Sequence, residues 1–329
     1  MPPSPSEPCL GGRVVFLIDE SEALRECIAG GTKAKAESIA TALNSLLNQI
    51  TTVADLEVAV AGYRGDGGSG ADVGCRWAGP LAGRRFVPTA ALAEAPLMIE
   101  TRVRRFSVPL AGGQEDTVQF PIWYVPQLGG SIFPVLGYGY CRHLVVSGIA
   151  PDMAWSRPPL VISFVGDLLP QQVDIAVERV QTLITPGGAP LVFHVHLGGP
   201  GACRPVLYPS NKVHLPPGPP RDLFDWSSML PEYMIAALRA AKMPVSAGAR
   251  GMIYNASVAD LIRMLSLVRT YALQGEIRDQ RSEVRDQMAE VGDQGADVDL
   301  ASDPRPLTAD RNGRTDLRPL TSAPQEAPP

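Results

Sequence analysis

The hydrophobic positions of the chain form short apolar runs that are separated by stretches with helical periodicity. The run Val14–Ile18 contains five consecutive apolar residues and leads into the polar triplet 19–21, which is Asp-Glu-Ser. A continuous apolar run of this length is typical of a strand that is buried on both faces of a sheet. Because such sheets carry helices on both sides, the run predicts a layered α/β domain.

The same pattern recurs along most of the chain. We predict further strands over Leu56–Tyr63, Pro159–Val165, Leu191–Leu197 and within 248–257. Helical spacing of apolar residues predicts helices over Lys33–Ile50, Val173–Ile184, Trp226–Lys242 and Ala256–Tyr271. Strands that alternate with helices indicate an α/β fold with a doubly wound, mostly parallel sheet that is flanked by helices.

One region interrupts this alternation. Ile99–Phe106 and Val118–Val125 alternate like strands, and the glycine-containing segment 110–116 lies between them. This arrangement predicts a long β-hairpin, inserted at about 72–128. Its three arginines at positions 102, 104 and 105 could bind an acidic partner, although such charge is more typical of a solvated edge. The glycine-rich stretch 128–139 lacks the phosphate-binding pattern GxxxxGK[ST] and is predicted to be a loop.

Composition and charge exclude several classes of function. Hydrophobic residues make up 45% of the 329 residues, and the formal net charge is −5, so no basic footprint for nucleic acid is present. No apolar run approaches the roughly 20 residues of a membrane span. The first ten residues lack a basic and an apolar region, so we expect a cytoplasmic protein without a signal peptide. Five scattered cysteines without a CxxC pair indicate neither a zinc site nor a disulfide framework.

The two ends of the chain differ in composition from the middle. Residues 1–11 are rich in proline and serine and are predicted to be flexible, whereas 12–273 is predicted to be one domain. The segment 274–291 has charges on most faces and few apolar positions, which predicts a charged helix too short for a coiled coil. The stretch 292–329 lacks aromatic residues and is predicted to be a disordered tail.

The candidate chemistry lies at the end of the first strand. Open α/β sheets bind their ligands at the carboxyl ends of the strands, where Asp19 and Ser21 are placed. A carboxylate and a hydroxyl are hard oxygen ligands of the kind that Mg²⁺ takes. The alternative interpretation is that Asp19 or Ser21 caps the helical segment that follows.

The segment LIDESEA (17–23) resembles the first motif of the von Willebrand factor A (vWA) family, Asp-x-Ser-x-Ser. The resemblance to bacterial proteins of this family covers 12–272 and includes the stretches 79–88, 227–234 and 248–257. It implies a Rossmann-like fold and a metal-ion-dependent adhesion site at the strand ends. It also implies a protein partner, such as an ATPase or a signalling component of a multi-protein system.

The chain departs from the family pattern at each of the three metal motifs. Ala23 replaces the second serine of the first motif, and Phe133 aligns with the threonine of the second. The acid of the third motif, Asp167, comes one residue late, and a slip of one residue turns a strand side chain to the other face. The resemblance therefore implies a degenerate site in which Asp19, Ser21 and Asp167 bind Mg²⁺ weakly or not at all.

A lost metal site favours a non-catalytic protein that docks a partner through loops at the carboxyl ends of the strands. Glu20, Ser131 and Phe133 are the candidate docking residues because they lie in these loops. The sequence contains no nucleophile elbow, HExxH, Walker or dinucleotide motif, so we do not expect an enzyme. Accordingly, we expect either no cofactor or weakly bound Mg²⁺.

Two alternatives use the same residues differently. In the first, the site still holds Mg²⁺, whose open position takes an acidic side chain of the partner. In the second, Asp19 and Asp167 act with His194 or His196 in a metal-assisted hydrolase. The two histidines project from one face of their predicted strand, and with His214 or a cysteine they could ligate zinc. Histidines at a strand end more often bond to backbone or water.

Overall fold

The computed structural model of the chain describes residues 9–53, 56–65, 70–108, 112–147, 154–155, 157–166, 173–199 and 204–273. All of them belong to the unit Met1–Arg281. The strands are β1 (Cys9–Leu10), β2 (Gly12–Asp19), β3 (Leu56–Gly65), β4 (Ala71–Cys75), β5 (Val87–Pro88), β6 (Met98–Val108), β7 (Gly112–Ile122), β8 (Ala154–Trp155), β9 (Leu160–Val165), β10 (Leu191–Leu197), β11 (Val206–Leu207) and β12 (Met252–Ala256). The helices are α1 (Lys35–Ile50), α2 (Thr89–Glu94), α3 (Pro134–Val146), α4 (Val173–Gln181), α5 (Pro219–Trp226), α6 (Glu232–Ala240) and α7, described over 258–273.

The main sheet has the strand order β11-β12-β10-β9-β2-β3-β4. The five strands from β12 to β3 are parallel, and β4 and β11 pair antiparallel at the two edges. The chain passes from β2 to its neighbour β3 and later returns to β9 on the other side of β2. The topological switch point therefore lies beside the carboxyl end of β2, where doubly wound sheets bind ligands. The predicted fold class is confirmed.

Alternate side chains of β2 enter two separate hydrophobic cores. Val14, Phe16 and Ile18 pack with α1, α6 and α7 on one face of the sheet. Val15 and Leu17 pack with α3, α4 and α5 on the other face. This burial on both faces explains why the strand reads as a continuous apolar run.

Helix α3 corrects the prediction of a loop over 128–139. The helix begins at Pro134, a residue whose fixed φ suits the first turn of a helix. Gly137 lies against the ring of Tyr63, and a Cβ at this position would come within 2.5 Å of that ring. This glycine therefore allows a helix to approach the sheet closely.

The single helix predicted over Trp226–Lys242 is also wrong. The structure contains α5, which ends at Trp226, and α6, which begins at Glu232. Pro231 immediately precedes α6, and a proline cannot donate the backbone hydrogen bond that a continuous helix would need there. The predicted hairpin is present as β6 and β7, which pair from Met98–Ile122 to Val108–Gly112.

The domain organisation differs from the prediction in two segments. β4, at the start of the predicted insertion, is an edge strand of the main sheet. Cys9–Leu10, within the segment predicted to be flexible, pairs with β8. The predicted helix 274–291, the tail 292–329 and the site residue Asp167 lie outside the described residues. None of the described helices is long and apolar enough to cross a membrane.

Candidate functional site at the carboxyl edge of the sheet

Asp19 is the last residue of β2 and is fully buried. Its Oδ1 accepts a hydrogen bond from the backbone N–H of Ser21 at 2.9 Å, and its Oδ2 accepts one from Gly166 at 3.0 Å. A Cβ at Gly166 would lie 2.9 Å from Oδ2, so a glycine is required for this approach. The carboxylate of Asp19 thus joins the ends of two neighbouring strands, β2 and β9, through backbone hydrogen bonds.

Two buried hydroxyl groups in this region have no hydrogen-bond partner among the described residues. They are the Oγ of Ser21 and the phenol of Tyr63. Burial raises the pKa of Tyr63 well above its ordinary value, and the negative charge of Asp19 adds to this effect. Ser21 precedes the 3₁₀ helix Glu22–Arg25, but its side chain makes no capping hydrogen bond. The alternative interpretation of Ser21 as a helix cap is therefore not met.

Of the three predicted metal ligands, the described structure places two at the end of β2. Asp19 and Ser21 are adjacent, whereas Asp167 lies outside the described residues. Within the described part of the chain, no group of three or more His, Cys, Asp or Glu residues could hold a metal ion. Among the described residues, the site offers the carboxylate of Asp19, each oxygen of which already accepts a backbone hydrogen bond, and one hydroxyl. These are fewer oxygen ligands than the octahedral shell of Mg²⁺ takes.

Glu20 points away from the surface into a buried charge cluster. Its carboxylate accepts a hydrogen bond from the Nε of Arg76 at 2.7 Å and one from the hydroxyl of Tyr124 at 3.3 Å. Burial raises the pKa of Glu20, and the charge of Arg76 opposes that rise. The side chain of Glu20, a predicted docking residue, is therefore part of the interior.

The charge cluster continues outward from Glu20. Arg76 forms a second ion pair with Asp72 at 3.2 Å, and Asp72 also pairs with Arg64 at 2.9 Å. Arg64 donates a hydrogen bond of 2.6 Å to the backbone oxygen of Gln127. The alternating cations and anions thereby connect the interior to the loop 127–131.

Backbone hydrogen bonds fix this loop against the strand ends. Gly129 donates to the backbone oxygen of Glu20 at 2.9 Å. The backbone N–H of Glu22 donates a hydrogen bond to the backbone oxygen of Gly130 at 3.1 Å. The backbone N–H of Gly65 donates one to the backbone oxygen of Ser131 at 2.7 Å. The predicted docking residue Ser131 is exposed, and its backbone holds the loop on the end of β3.

A cluster of exposed apolar side chains follows the fixed loop, and we call it the α3 patch. It consists of Phe133, Val135 and Leu136, which are 41%, 43% and 42% exposed. Pro134 between them is buried in the first turn of α3. Sequence reasoning identified Phe133 but missed Val135 and Leu136, because it assigned the segment to a loop. The proline before an apolar stretch was the signal that could have located the helix start.

The two histidines of β10 lie in the interior. His194 is fully buried, with Nδ1 2.9 Å from the Oγ of Ser227 and Nε2 2.9 Å from the hydroxyl of Tyr138. Burial lowers the pKa of His194 to about 3. His196 accepts a hydrogen bond from the backbone of Asn255 at 3.3 Å and stacks on Tyr254. These contacts give both histidines hydrogen-bonding roles within the fold.

No protein-family model matches the chain, and no curated protein matches it. Several solved structures are similar, including the following three. Proximal thread matrix protein 1 from the mussel byssus is 12% identical, with a TM-score of 0.41, over 79% of this chain and 47% of that one. The SpRpn10 VWA domain is 11% identical, with a TM-score of 0.33, over 56% and 74% of the two chains. The PilB minor pilin from Streptococcus sanguinis is 9% identical, with a TM-score of 0.42, over 83% and 63%. The chain thus spans less than two thirds of the mussel protein and of the pilin.

Proposed function

We propose that this protein is a non-catalytic interaction module of the vWA type with a degenerate metal site. It docks a protein partner through the carboxyl edge of its sheet, without a metal ion. The sequence resemblance supports a partner such as an ATPase or a signalling component of a multi-protein system. The placement of Asp19 supports the loss of the metal, because both of its carboxylate oxygens accept backbone hydrogen bonds.

The α3 patch is the observation that carries this proposal. Three large apolar side chains are exposed within the four residues 133–136, at the edge where doubly wound sheets bind ligands. Contiguous exposed apolar surface on a soluble domain is typical of an interaction site. Interface cores are rich in aromatic residues, and Phe133 supplies one at the start of the helix.

The fixed loop beside the patch supports the same function. Docking loses less conformational entropy when the contacting residues are already held in place. Here the loop 127–131 is bound through the backbones of Glu20, Glu22 and Gly65, and through the side chain of Arg64. The charge cluster therefore serves to position the surface from the interior.

The test compares two variants of the full-length protein as baits in lysate of the source organism. Phe133→Ser combined with Leu136→Ser removes two members of the α3 patch. Ile184→Ser is the matched control, since Ile184 is 96% exposed and follows α4 toward the amino ends of the strands. We expect the patch variant to lose at least about tenfold in partner capture, in line with the loss of interface anchors, and the control to keep it.

Circular dichroism and thermal unfolding of both variants show whether the fold is intact. Equal capture by the wild type and the folded patch variant would exclude the α3 patch as the docking site. Loss of capture by both variants would show that capture depends on nonspecific apolar contacts, which would also contradict the proposal.

A second candidate function is Mg²⁺-dependent ligand binding. The observation that favours it is the buried Oγ of Ser21, which lacks a partner among the described residues and lies two residues from Asp19. Isothermal titration with MgCl₂ separates the candidates. A dissociation constant in the micromolar range, lost in Asp19→Asn, would establish the metal-dependent function and contradict the first proposal.

A further inference from the structure

An open cavity of about 460 Å³ is lined by residues of α1, α7 and β7, none of which belongs to the α3 patch. Helix α1 lines it with one face, formed by Ser38, Thr41, Ala42, Ser45, Leu46 and Gln49. These residues recur three and four positions apart, so they form a stripe along the helix. Most of them are small, which leaves a trough between α1 and α7.

The opposite wall of the trough is apolar. Val258, Ile262 and Leu265 recur along one face of α7, and the ring of Phe120 from β7 completes the wall. Ile262 is more than half exposed although it lines a concave surface. A concave apolar wall that faces a few polar groups is typical of a small-molecule site, and the volume falls within the usual range.

Ser38 gives an independent indication of a ligand. The residue is 3% exposed and lines the trough, yet its Oγ has no hydrogen-bond partner among the described residues. Buried hydroxyl groups nearly always have a partner, because an unpaired one loses its interaction with water. A polar atom of a bound molecule would supply the missing partner.

Lys33 is the only charged residue among those that line the trough, and it is exposed. No ion pair involves its ammonium group within the described part of the chain. Lys33 comes from the segment that precedes α1, so it stands at one end of the α1 stripe. An anionic group at this end would therefore meet a cation that is not already neutralised.

We propose that the trough binds an amphiphile with one hydrocarbon chain and an anionic head group, such as a fatty acid. From Ser38 to Gln49 the stripe rises about 16 Å, a length that suits an extended chain of medium length. The head group is held by Lys33, and one of its oxygen atoms accepts a hydrogen bond from Ser38. The chain runs along the apolar wall of α7.

Isothermal titration of the full-length protein with dodecanoate, kept below its micelle concentration, tests this proposal. We expect saturable one-to-one binding with a dissociation constant of about 1–50 μM, an affinity within the bound for a ligand of this size. Ser45→Phe places a ring in the trough and is expected to weaken binding at least about tenfold. Asn48→Phe is the matched control, because Asn48 is an exposed residue of α1 outside the trough.

The head group is tested with Lys33→Gln and with 1-dodecanol as the uncharged ligand. We expect Lys33→Gln to weaken the binding of dodecanoate about fivefold and to leave the binding of dodecanol unchanged, because only the carboxylate interacts with the ammonium group. Ser38→Ala is expected to weaken dodecanoate as well, with no loss of thermal stability in the free protein.

Each negative result is informative. Absence of saturable dodecanoate binding, or equal binding by wild type and folded Ser45→Phe, would overturn the proposal. Equal effects of Lys33→Gln on the binding of both ligands would overturn the inference that Lys33 recognises an anionic head group. If dodecanoate does not bind but Ser45→Phe abolishes partner capture while Asn48→Phe retains it, the trough is a protein-docking groove, and the lipid proposal is wrong.

Discussion

Two buried polar clusters of this protein are built in opposite ways. At the carboxyl edge, Glu20 and Arg76 form a buried ion pair that connects through Asp72 and Arg64 to the loop 127–131. Beneath α3, the cluster around His194 is neutral and its members are buried. A buried charge needs a counter-charge, whereas a buried neutral polar group needs only a hydrogen-bond partner. Of these two clusters, the charged one is the one that holds a surface loop, through the hydrogen bond from Arg64 to the backbone oxygen of Gln127.

The largest effect is expected when the charged cluster loses its cation. Arg76→Met leaves Glu20 buried without a counter-charge, which should lower the free energy of unfolding by about 3–5 kcal/mol. Urea denaturation at pH 7 measures this loss. Arg102→Met is the matched control, because Arg102 and its partner Glu100 are 39% and 46% exposed, and the expected loss is about 0–1 kcal/mol. Equal losses in both variants would contradict the role given to Arg76.

The second-largest effect on the free energy of unfolding is expected from acidification, which acts on the neutral cluster. The pKa of His194 is about 3 in the folded protein against 6.5 ordinarily, so below pH 6.5 the unfolded chain binds a proton that the folded protein excludes. The contribution to stability is complete above pH 6.5 and is lost as the pH falls from 6.5 towards 3. The loss is about 1.4 kcal/mol per pH unit within this window.

The comparison of wild type with His194→Phe isolates this effect. Both proteins are unfolded with urea at several pH values between 7 and 4.5, and the difference between their free energies of unfolding is plotted against pH. We expect the difference to shrink as the pH falls, since only the wild type carries the buried imidazole. A constant difference would show that His194 is not held neutral by the fold.

A smaller effect is expected from Tyr138→Phe. The substitution removes the hydroxyl that lies 2.9 Å from both His194 and Ser163, leaving two buried polar groups without this partner. The free energy of unfolding should fall by about 1–2 kcal/mol. Tyr208→Phe serves as the control, because the buried hydroxyl of Tyr208 has no partner among the described residues. A loss in the control as large as that in Tyr138→Phe would refute the argument.

The smallest effect is expected at the edge, from Ser21→Ala. The buried hydroxyl of Ser21 lacks a partner in the described structure, so its removal should change the free energy of unfolding by less than about 0.5 kcal/mol. Adding 5 mM MgCl₂ should not change that result. A Mg²⁺-dependent stabilisation of wild type that Ser21→Ala abolishes would show that the hydroxyl is a metal ligand.

The sequence was sufficient for the central sheet and for the position of Asp19. Both follow from apolar runs and their ends, which are local properties of the chain. The pairing of Glu20 with Arg76 was not predictable, because the two residues are 56 positions apart. Nothing near Glu20 in the sequence shows that its side chain turns inward, so it was placed among the docking residues.

Helix α3 was missed for a different reason. Gly137 and Gly139 made the segment resemble a loop, since glycine is a poor helix former. In the structure, position 137 requires a glycine, because the ring of Tyr63 occupies the space that a side chain would need. That requirement arises from packing between distant segments. The members of the α3 patch beyond Phe133 could be recognised only after the helix was placed.

The central claim is that docking at the carboxyl edge is independent of metal. The most direct measurement is quantitative partner capture by the full-length wild-type protein, performed in parallel with 5 mM EDTA and with 5 mM MgCl₂. We expect equal capture in both conditions, and its loss in the Phe133→Ser, Leu136→Ser variant in both. Capture that requires MgCl₂ and disappears in EDTA would contradict the claim.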